Sequence, residues 1–307
     1  MTTHDLRVQA ITQAHSHLAL PVQSTPHARF SSDAPVYRAA KQGCLALDFI
    51  EIDAECLANA WQAMSTRTGQ FDGTVWPNQA VDFGMRPWPR QDTFAACPHQ
   101  LGLYAVLPNA AWVARMARAG VPTVQLRFKS DDAQAIEREI CAAVQAVQGT
   151  NALLFINDHW EAAIEAGAYG VHLGQEDMAV ADLQAIKAAG LRLGLSSHGY
   201  AEMVQADSFS PSYIALGAVF ATTLKRMLTA PQGTGRLSAY AHLLCAYPLV
   251  AIGGIDNSKL PEVLASGVGS VAVVRALVEA DNPEEMATHL QALIRKKIQA
   301  KSLKPVL

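Results

Sequence analysis

Two carboxylates in the stretch LLFINDHWEAAIEAGAYGVHLGQEDM (residues 153–178) stand where chemistry would need them. Asp158 closes the apolar run LLFIN, and Asp177 lies just past the next run, GVHL. Each follows a strand-like segment, with a helix-like segment between, so parallel pairing of the two strands would bring both to one pocket. Neighbouring parallel strands lie about 4.8 Å apart. Carboxylates at that range repel unless a cation sits between them. Two hard oxygen donors suit Mg2+, which keeps waters and takes its remaining ligands from phosphate. Helix capping is the alternative, because Asp158 precedes HWEAAIEAG and aspartate is a preferred N-cap. Spacing alone leaves the two readings even.

Other polar residues fall at equivalent places. Gln125, Arg127 and Lys129 recur at i, i+2 and i+4 in QLRFK, which alternation places on one face of a strand. Three such groups inside a packed fold are costly unless they meet a ligand or each other. Ser196 ends a run in GLSSH, and His172 lies within GVHL, where a pocket wall and a core histidine fit equally well. Thr222, Thr223 and Lys225 share the long loop GAVFATTLKRMLTAPQGTGR, while Gly253-Gly254 and Val274-Arg275 close two later runs. Glycines at such places let backbone amides approach an anion. Basic and hydroxyl groups opposite a carboxylate pair call for two anionic small molecules: a diphosphate with Mg2+, and a separate monophosphate. No nucleophile–base pair is evident.

These residues share a framework. From Leu101 onward, short β-branched runs alternate with segments apolar at i, i+3 and i+4. The runs LGLYAVLP, VPTVQLRF, ALLFIN, GVHLG, RLGLSSH, YIALGAVF, PLVAIGGI and SVAVVRAL are each followed by a helical pattern. Gly120, Gly167, Gly190 and Gly267 sit where helices should end. Strict alternation implies parallel strands with right-handed crossovers. Eight units predict an α/β fold, a (β/α)8 TIM barrel over residues 99–307, rather than an open doubly wound sheet. In such a barrel the chemistry lies at the C-terminal ends of the strands, where the residues above cluster. Residues 1–98 form an N-terminal extension or small subdomain of weak periodicity. Within it, Asp53–Thr68 reads as a capped helix, and VWPNQAVDFGMRPWPRQD as an ordered loop. No chemistry stands out there, so the extension is expected to be dispensable for catalysis.

Composition narrows the class. The chain has 307 residues, half of them hydrophobic, a net charge of −3 and a pI near 6.4. That balance offers no basic footprint for nucleic acid. No apolar run approaches the roughly 18 residues a membrane span needs, and the N-terminus lacks a signal peptide's apolar region. Five dispersed cysteines form no CxxC pair, which predicts a reduced, cytoplasmic protein with buried thiols. A homo-oligomer is compatible with all of this.

The chain also resembles the thiamine-phosphate synthase (thiamine-phosphate pyrophosphorylase) family. The resemblance runs in order through GLY (102–104), QLRFK (125–129), FIND (155–158), GVHLGQED (170–177), GLSSH (194–198), YIALG (213–217), TTLK (222–225), APQG (230–233), VAIGGI (250–255) and GVGSVAVV (267–274). It implies a Mg2+-dependent transferase joining 4-amino-2-methyl-5-(diphosphomethyl)pyrimidine to a thiazole phosphate, with or without a carboxyl group, to give thiamine phosphate and diphosphate. The implied mechanism is dissociative, through a pyrimidine-methyl cation captured by the thiazole nitrogen. By resemblance, Gln125, Arg127, Lys129, Asn157, Ser196 and Lys225 hold the pyrimidine diphosphate, with Lys129, Lys225 and Ser196 catalytic. His172 lies beside the pyrimidine, and Asp158 and Asp177 bind Mg2+. Thr222, Thr223, Gly253, Gly254, Val274 and Arg275 hold the thiazole phosphate. The chain departs from the family at Leu224, usually threonine, at Arg275, usually serine, and at Gly199, often threonine. A thiazole tautomerase or a non-catalytic thiazole-phosphate-binding barrel is the alternative. Retention of Asp158, Asp177 and Lys129 argues against the tautomerase, which has no diphosphate to hold.

Overall fold

The computed structural model describes residues 1–21, 29–223 and 229–302. Three helices come first: α1 (Thr3–Ala14), α2 (Pro35–Ala46) and α3 (Glu51–Thr68). The short apolar runs then become strands β1 (Gly102–Leu107), β2 (Thr123–Leu126), β3 (Leu153–Asn157), β4 (Gly170–Leu173), β5 (Arg192–Ser197), β6 (Tyr213–Leu216), β7 (Leu249–Ala251) and β8 (Ser270–Val273). All pair in parallel in chain order, and β8 closes on β1. The sheet is therefore a (β/α)8 barrel and not an open doubly wound sheet.

The helices between strands are α4 (Ala110–Arg118), α5 (Ala133–Val147), α6 (Trp160–Glu165), α7 (Gln175–Met178), α8 (Leu183–Ala188), α9 (Tyr200–Ser208), α10 (Gly233–Leu243) and α11 (Leu260–Ala265). After β8 come α12 (Arg275–Val278) and α13 (Pro283–Ser302). Gly120, Gly167, Gly190 and Gly267 all have positive φ at helix ends, as expected. The one-turn helix α7 has no sequence signal, since four residues carry no period, and α12 corrects the expectation that the eighth strand runs on through SVAVVRAL: β8 ends at Val273. These two helices place Asp177 and Arg275.

Alternation divides the strand residues between two apolar clusters. Leu103, Ala105 and Leu107 of β1 face the helices, while Tyr104 and Val106 face the barrel interior with Phe155, Tyr213, Val250 and Ala272. Strand β2 stops at Leu126, which corrects the expectation that Gln125, Arg127 and Lys129 share one strand face. Only Gln125 is a buried strand residue; Arg127 is half-buried beyond the strand end, and Lys129 is exposed at the rim.

The N-terminal residues join the outer cluster. Ile11, Leu18, Tyr37, Leu57 and Trp61 share it with Tyr200 of α9 and Leu237 and Tyr240 of α10. Helices α1 and α2 escaped the periodicity reading, although Thr2 and Asp5 form a capping box on α1 and Pro35 opens α2. Helix α3 begins at Glu51 with Ile50 at its N-cap, so Asp53 lies inside its first turn and does not cap it. The chain then descends beside α9: Arg90 forms a buried ion pair with Asp207 at 2.7 Å, and Ser212 Oγ donates to the Ala95 carbonyl. Cys97 and Leu101 finally pack into the interior cluster at the N-terminal mouth of the barrel. All five cysteines are unpaired, but Cys141 and Cys245 are exposed rather than buried. No helix among the described residues is long and apolar enough to cross a membrane.

Candidate active site

Inside the barrel, six polar side chains satisfy one another in a single chain of hydrogen bonds. Gln125 Nε2 donates to Asn157 Oδ1 at 2.8 Å, and Tyr104 donates its hydroxyl to Gln125 Oε1 at 2.9 Å. The Tyr104 and Tyr213 hydroxyls lie 2.7 Å apart, and Tyr213 lies 2.7 Å from His172 Nδ1. His172 Nε2 is 2.8 Å from Ser196 Oγ. With Gln125 oriented this way, one ordering of protons satisfies every link. Tyr213 donates to Tyr104, Nδ1–H of His172 donates to Tyr213, and Ser196 donates to Nε2.

The Ser196–His172 contact is one that the residue reading missed, and its length is what a nucleophile–base pair requires. The partner behind His172 decides its character. That partner is a tyrosine whose pKa burial raises well above the usual value, so no anion stands ready to stabilise an imidazolium. Tyr104 and Tyr213 were also missed, although both fall inside matching motifs. The signal was their inward register, because a buried phenol needs a polar partner.

At the rim, β3 and β4 bring the two carboxylates together. Asp158 follows β3 with φ 65°, a left-handed conformation that aspartate tolerates better than most residues. Its amide donates to the His172 carbonyl at 3.0 Å. Helix α6 has His159 at its N-cap and no side-chain cap, so capping does not account for Asp158. Asp177 lies in the first turn of α7 and accepts from the Gly174 amide at 3.1 Å. The two carboxyl groups are near enough for each to feel the other's charge. Burial first, and then the charge of Asp177, push the Asp158 pKa up to about 6, while Arg127 and His159 pull the other way. A carboxylate pair under mutual repulsion is a natural seat for a cation. Among the described residues no third His, Cys, Asp or Glu completes a protein cage. The donor set thus fits Mg2+ with most of its shell supplied by water and phosphate.

Across the barrel lie the groups expected to meet an anion. Gly253 and Gly254 have φ of 107° and 63°. A side chain at Gly253 would come within 2.6 Å of Ala218, so the pair lets the loop after β6 pass close by. The amides of Gly253 and Gly254 donate to no other described residue. Val274 is the N-cap of α12 and Arg275 its first residue, half-buried. Arg275 forms no ion pair among the described residues, which leaves the reading that it faces a helix-borne carboxylate without support. Thr222 is half-buried and Thr223 exposed, whereas Leu224 and Lys225 lie outside the described residues.

Comparison with known proteins places the barrel. A family model described as thiamine monophosphate synthase matches residues 103–277, more than half of the chain. The thiamine-phosphate synthase of Neisseria meningitidis serogroup B is 56% identical over 201 residues, 66% of this chain and 98% of the relative. That of Salmonella paratyphi B is 49% identical over 203 residues, 66% of this chain and 96% of the relative. Among solved structures, a thiamine phosphate pyrophosphorylase from Pyrococcus furiosus superposes with a TM-score of 0.58 at 26% identity, covering 64% of this chain and 97% of the other. These relatives match over nearly their whole length yet leave a third of this chain unaccounted for. On the family match and these identities, the chain belongs to the thiamine monophosphate synthase family.

Proposed function

We propose that the protein condenses 4-amino-2-methyl-5-(diphosphomethyl)pyrimidine with a thiazole phosphate, releasing diphosphate and forming thiamine phosphate, with Mg2+ as cofactor. The observation that carries the reading is the placement of Asp158 and Asp177 after the adjacent strands β3 and β4, near enough for their charges to act on each other, a seat for a cation beside basic groups. Bound there, Mg2+ would neutralise charge that grows on the departing diphosphate. Gln125, Arg127, Lys129, Asn157, Ser196 and Lys225 would hold the pyrimidine diphosphate. Thr222, Thr223, Gly253, Gly254, Val274 and Arg275 would hold the thiazole phosphate across the barrel.

The electron bookkeeping needs no protein base. The CH2–O bond breaks with its pair going to diphosphate, and the thiazole nitrogen's lone pair forms the new C–N bond. No proton moves in either event. This agrees with a site in which both ring nitrogens of His172 are already engaged. What the residues supply is orientation and fixed charge. Phosphorylated substrates and unpaired cysteines favour a reduced cytoplasmic location. Purified protein incubated with both substrates should release diphosphate only when Mg2+ is present. Absence of thiamine phosphate under those conditions would refute the reading.

Arg275 gives a sharper expectation. A guanidinium can meet a phosphate through two parallel donors, offsetting the hydroxyl absent at Leu224. Arg275→Ser should raise KM for the thiazole phosphate by roughly tenfold or more, since a hydrogen bond to a charged group contributes about 1.5–3 kcal/mol. KM for the pyrimidine diphosphate should change little. Leu224→Thr should recover part of the loss, a coupling that a double-mutant cycle measures. An unchanged thiazole KM would show that Arg275 does not serve the phosphate.

A further inference from the structure

The geometry points to Asp53, carried on α3 of the N-terminal segment, as the residue that caps α9 and so positions the β5–α9 turn of the active-site rim. That turn is only two residues, His198 and Gly199, between the strand bearing Ser196 and the start of α9. Helix α9 has Gly199 at its N-cap and makes no side-chain cap of its own. The first amides of a helix need an outside acceptor. Here Asp53 Oδ1 accepts from the Ala201 amide at 2.9 Å. Ala201 is the second residue of α9, the donor that an N-cap side chain ordinarily takes.

Gly199 fits this substitution. Its φ and ψ of −169° and −176° are extended backbone that any residue adopts, so conformation does not demand glycine. Space does. A Cβ at Gly199 would overlap the Asp53 carboxylate. The cap has moved from the turn itself to a residue 148 positions away. Asp53 is free for the task because it lies inside α3 and does not cap its own helix, and it is 3% exposed.

Neighbouring contacts hold the same end of α9. Trp76 Nε1 donates to the Tyr200 hydroxyl at 2.8 Å, and Phe83 stacks on the Tyr200 ring. The adjacent helix is gripped in parallel fashion: Arg236 of α10 donates to the Leu18 and Leu47 carbonyls at 2.9 and 2.8 Å. Relatives that match this chain over 98% of their own length have no room for a counterpart of residues 1–98. The N-terminal segment is thereby a positioning element for the rim, and its dispensability is not expected.

The consequence for catalysis rests on the proposed function, so the test has one arm that does not. In the ligand-free protein, Asp53→Ala should speed hydrogen exchange at the Ala201 amide by about tenfold, within the range of a lost cap. Gly199→Ser placed in the same variant, where the carboxylate no longer blocks it, should restore protection from within the turn. The second arm measures kinetics. Asp53→Ala should raise KM for the pyrimidine diphosphate at least fivefold, with KM for the thiazole phosphate changed less than twofold, and the double variant should recover most of it. Unchanged exchange at Ala201, equal rises in both KM values, or no recovery in the double variant would overturn the proposal. So would an Asp53→Ala protein that stays insoluble with Gly199→Ser, which would assign Asp53 to core packing alone. A wild-type protein without turnover would refute the proposed function and leave the exchange arm standing.

Discussion

Asp158→Asn and Asp177→Asn should each lower turnover by roughly 10²–10³ or more, the range for losing one preorganised electrostatic group, while the fold survives. The reason is charge. Asparagine keeps the shape and one oxygen, but not the negative pair that a hard cation needs. A capping role would predict a loss of only about 1 kcal/mol in stability, and asparagine caps nearly as well. His159, not Asp158, occupies the N-cap of α6. Asparagine also tolerates the left-handed backbone at position 158.

The Asp158 variant carries a second signature. Its carboxyl titrates near pH 6 in the folded protein, above the ordinary value of 3.8, because burial and Asp177 disfavour the anion. Such a group adds stability below its unfolded pKa and loses that contribution as pH rises through about 6. In Mg2+-free buffer, Asp158→Asn should therefore match wild type in Tm near pH 4 and exceed it increasingly toward pH 7. Lost stability at neutral pH, or near-normal turnover in both variants, would remove the metal assignment.

Lys129→Ala should lower kcat by roughly 10²–10³, again the effect of removing one donor aimed at developing charge. The structure makes this test clean. Lys129 is exposed at the rim and forms no ion pair with a described residue, so its removal breaks none. Stability should be unchanged within about 0.5 kcal/mol, as for surface substitutions elsewhere. Lys225→Ala is expected to behave alike, although that residue lies outside the described residues. A rise confined to KM, with kcat intact, would mean that the ammonium binds ground state and transition state equally. Diphosphate release measured under saturating thiazole phosphate separates the two outcomes.

Local sequence determined the barrel and the addresses of its polar groups. Strand runs, helix stripes and glycine stops repeat within windows of a few residues, and strict βα alternation leaves few topologies open. Hence Gln125 and His172 could be assigned to strands, Asn157 and Ser196 to strand ends, and Asp158 and Asp177 to adjacent loops before any contact was known. Tertiary structure decided what those residues meet. Arg127 and Lys129 leave the strand because β2 ends at Leu126, a boundary set by its neighbours' lengths and not by its own alternation. Tyr104 and Tyr213 complete the interior chain of hydrogen bonds from strands β1 and β6, 109 residues apart. The role of Asp53 was furthest from view, because its partner is an amide on another helix, and a weakly periodic segment shows nothing of what it will pack against. Periodicity is a property of one element, whereas a cap supplied from elsewhere depends on how two elements dock, and docking is settled by burial across the whole chain.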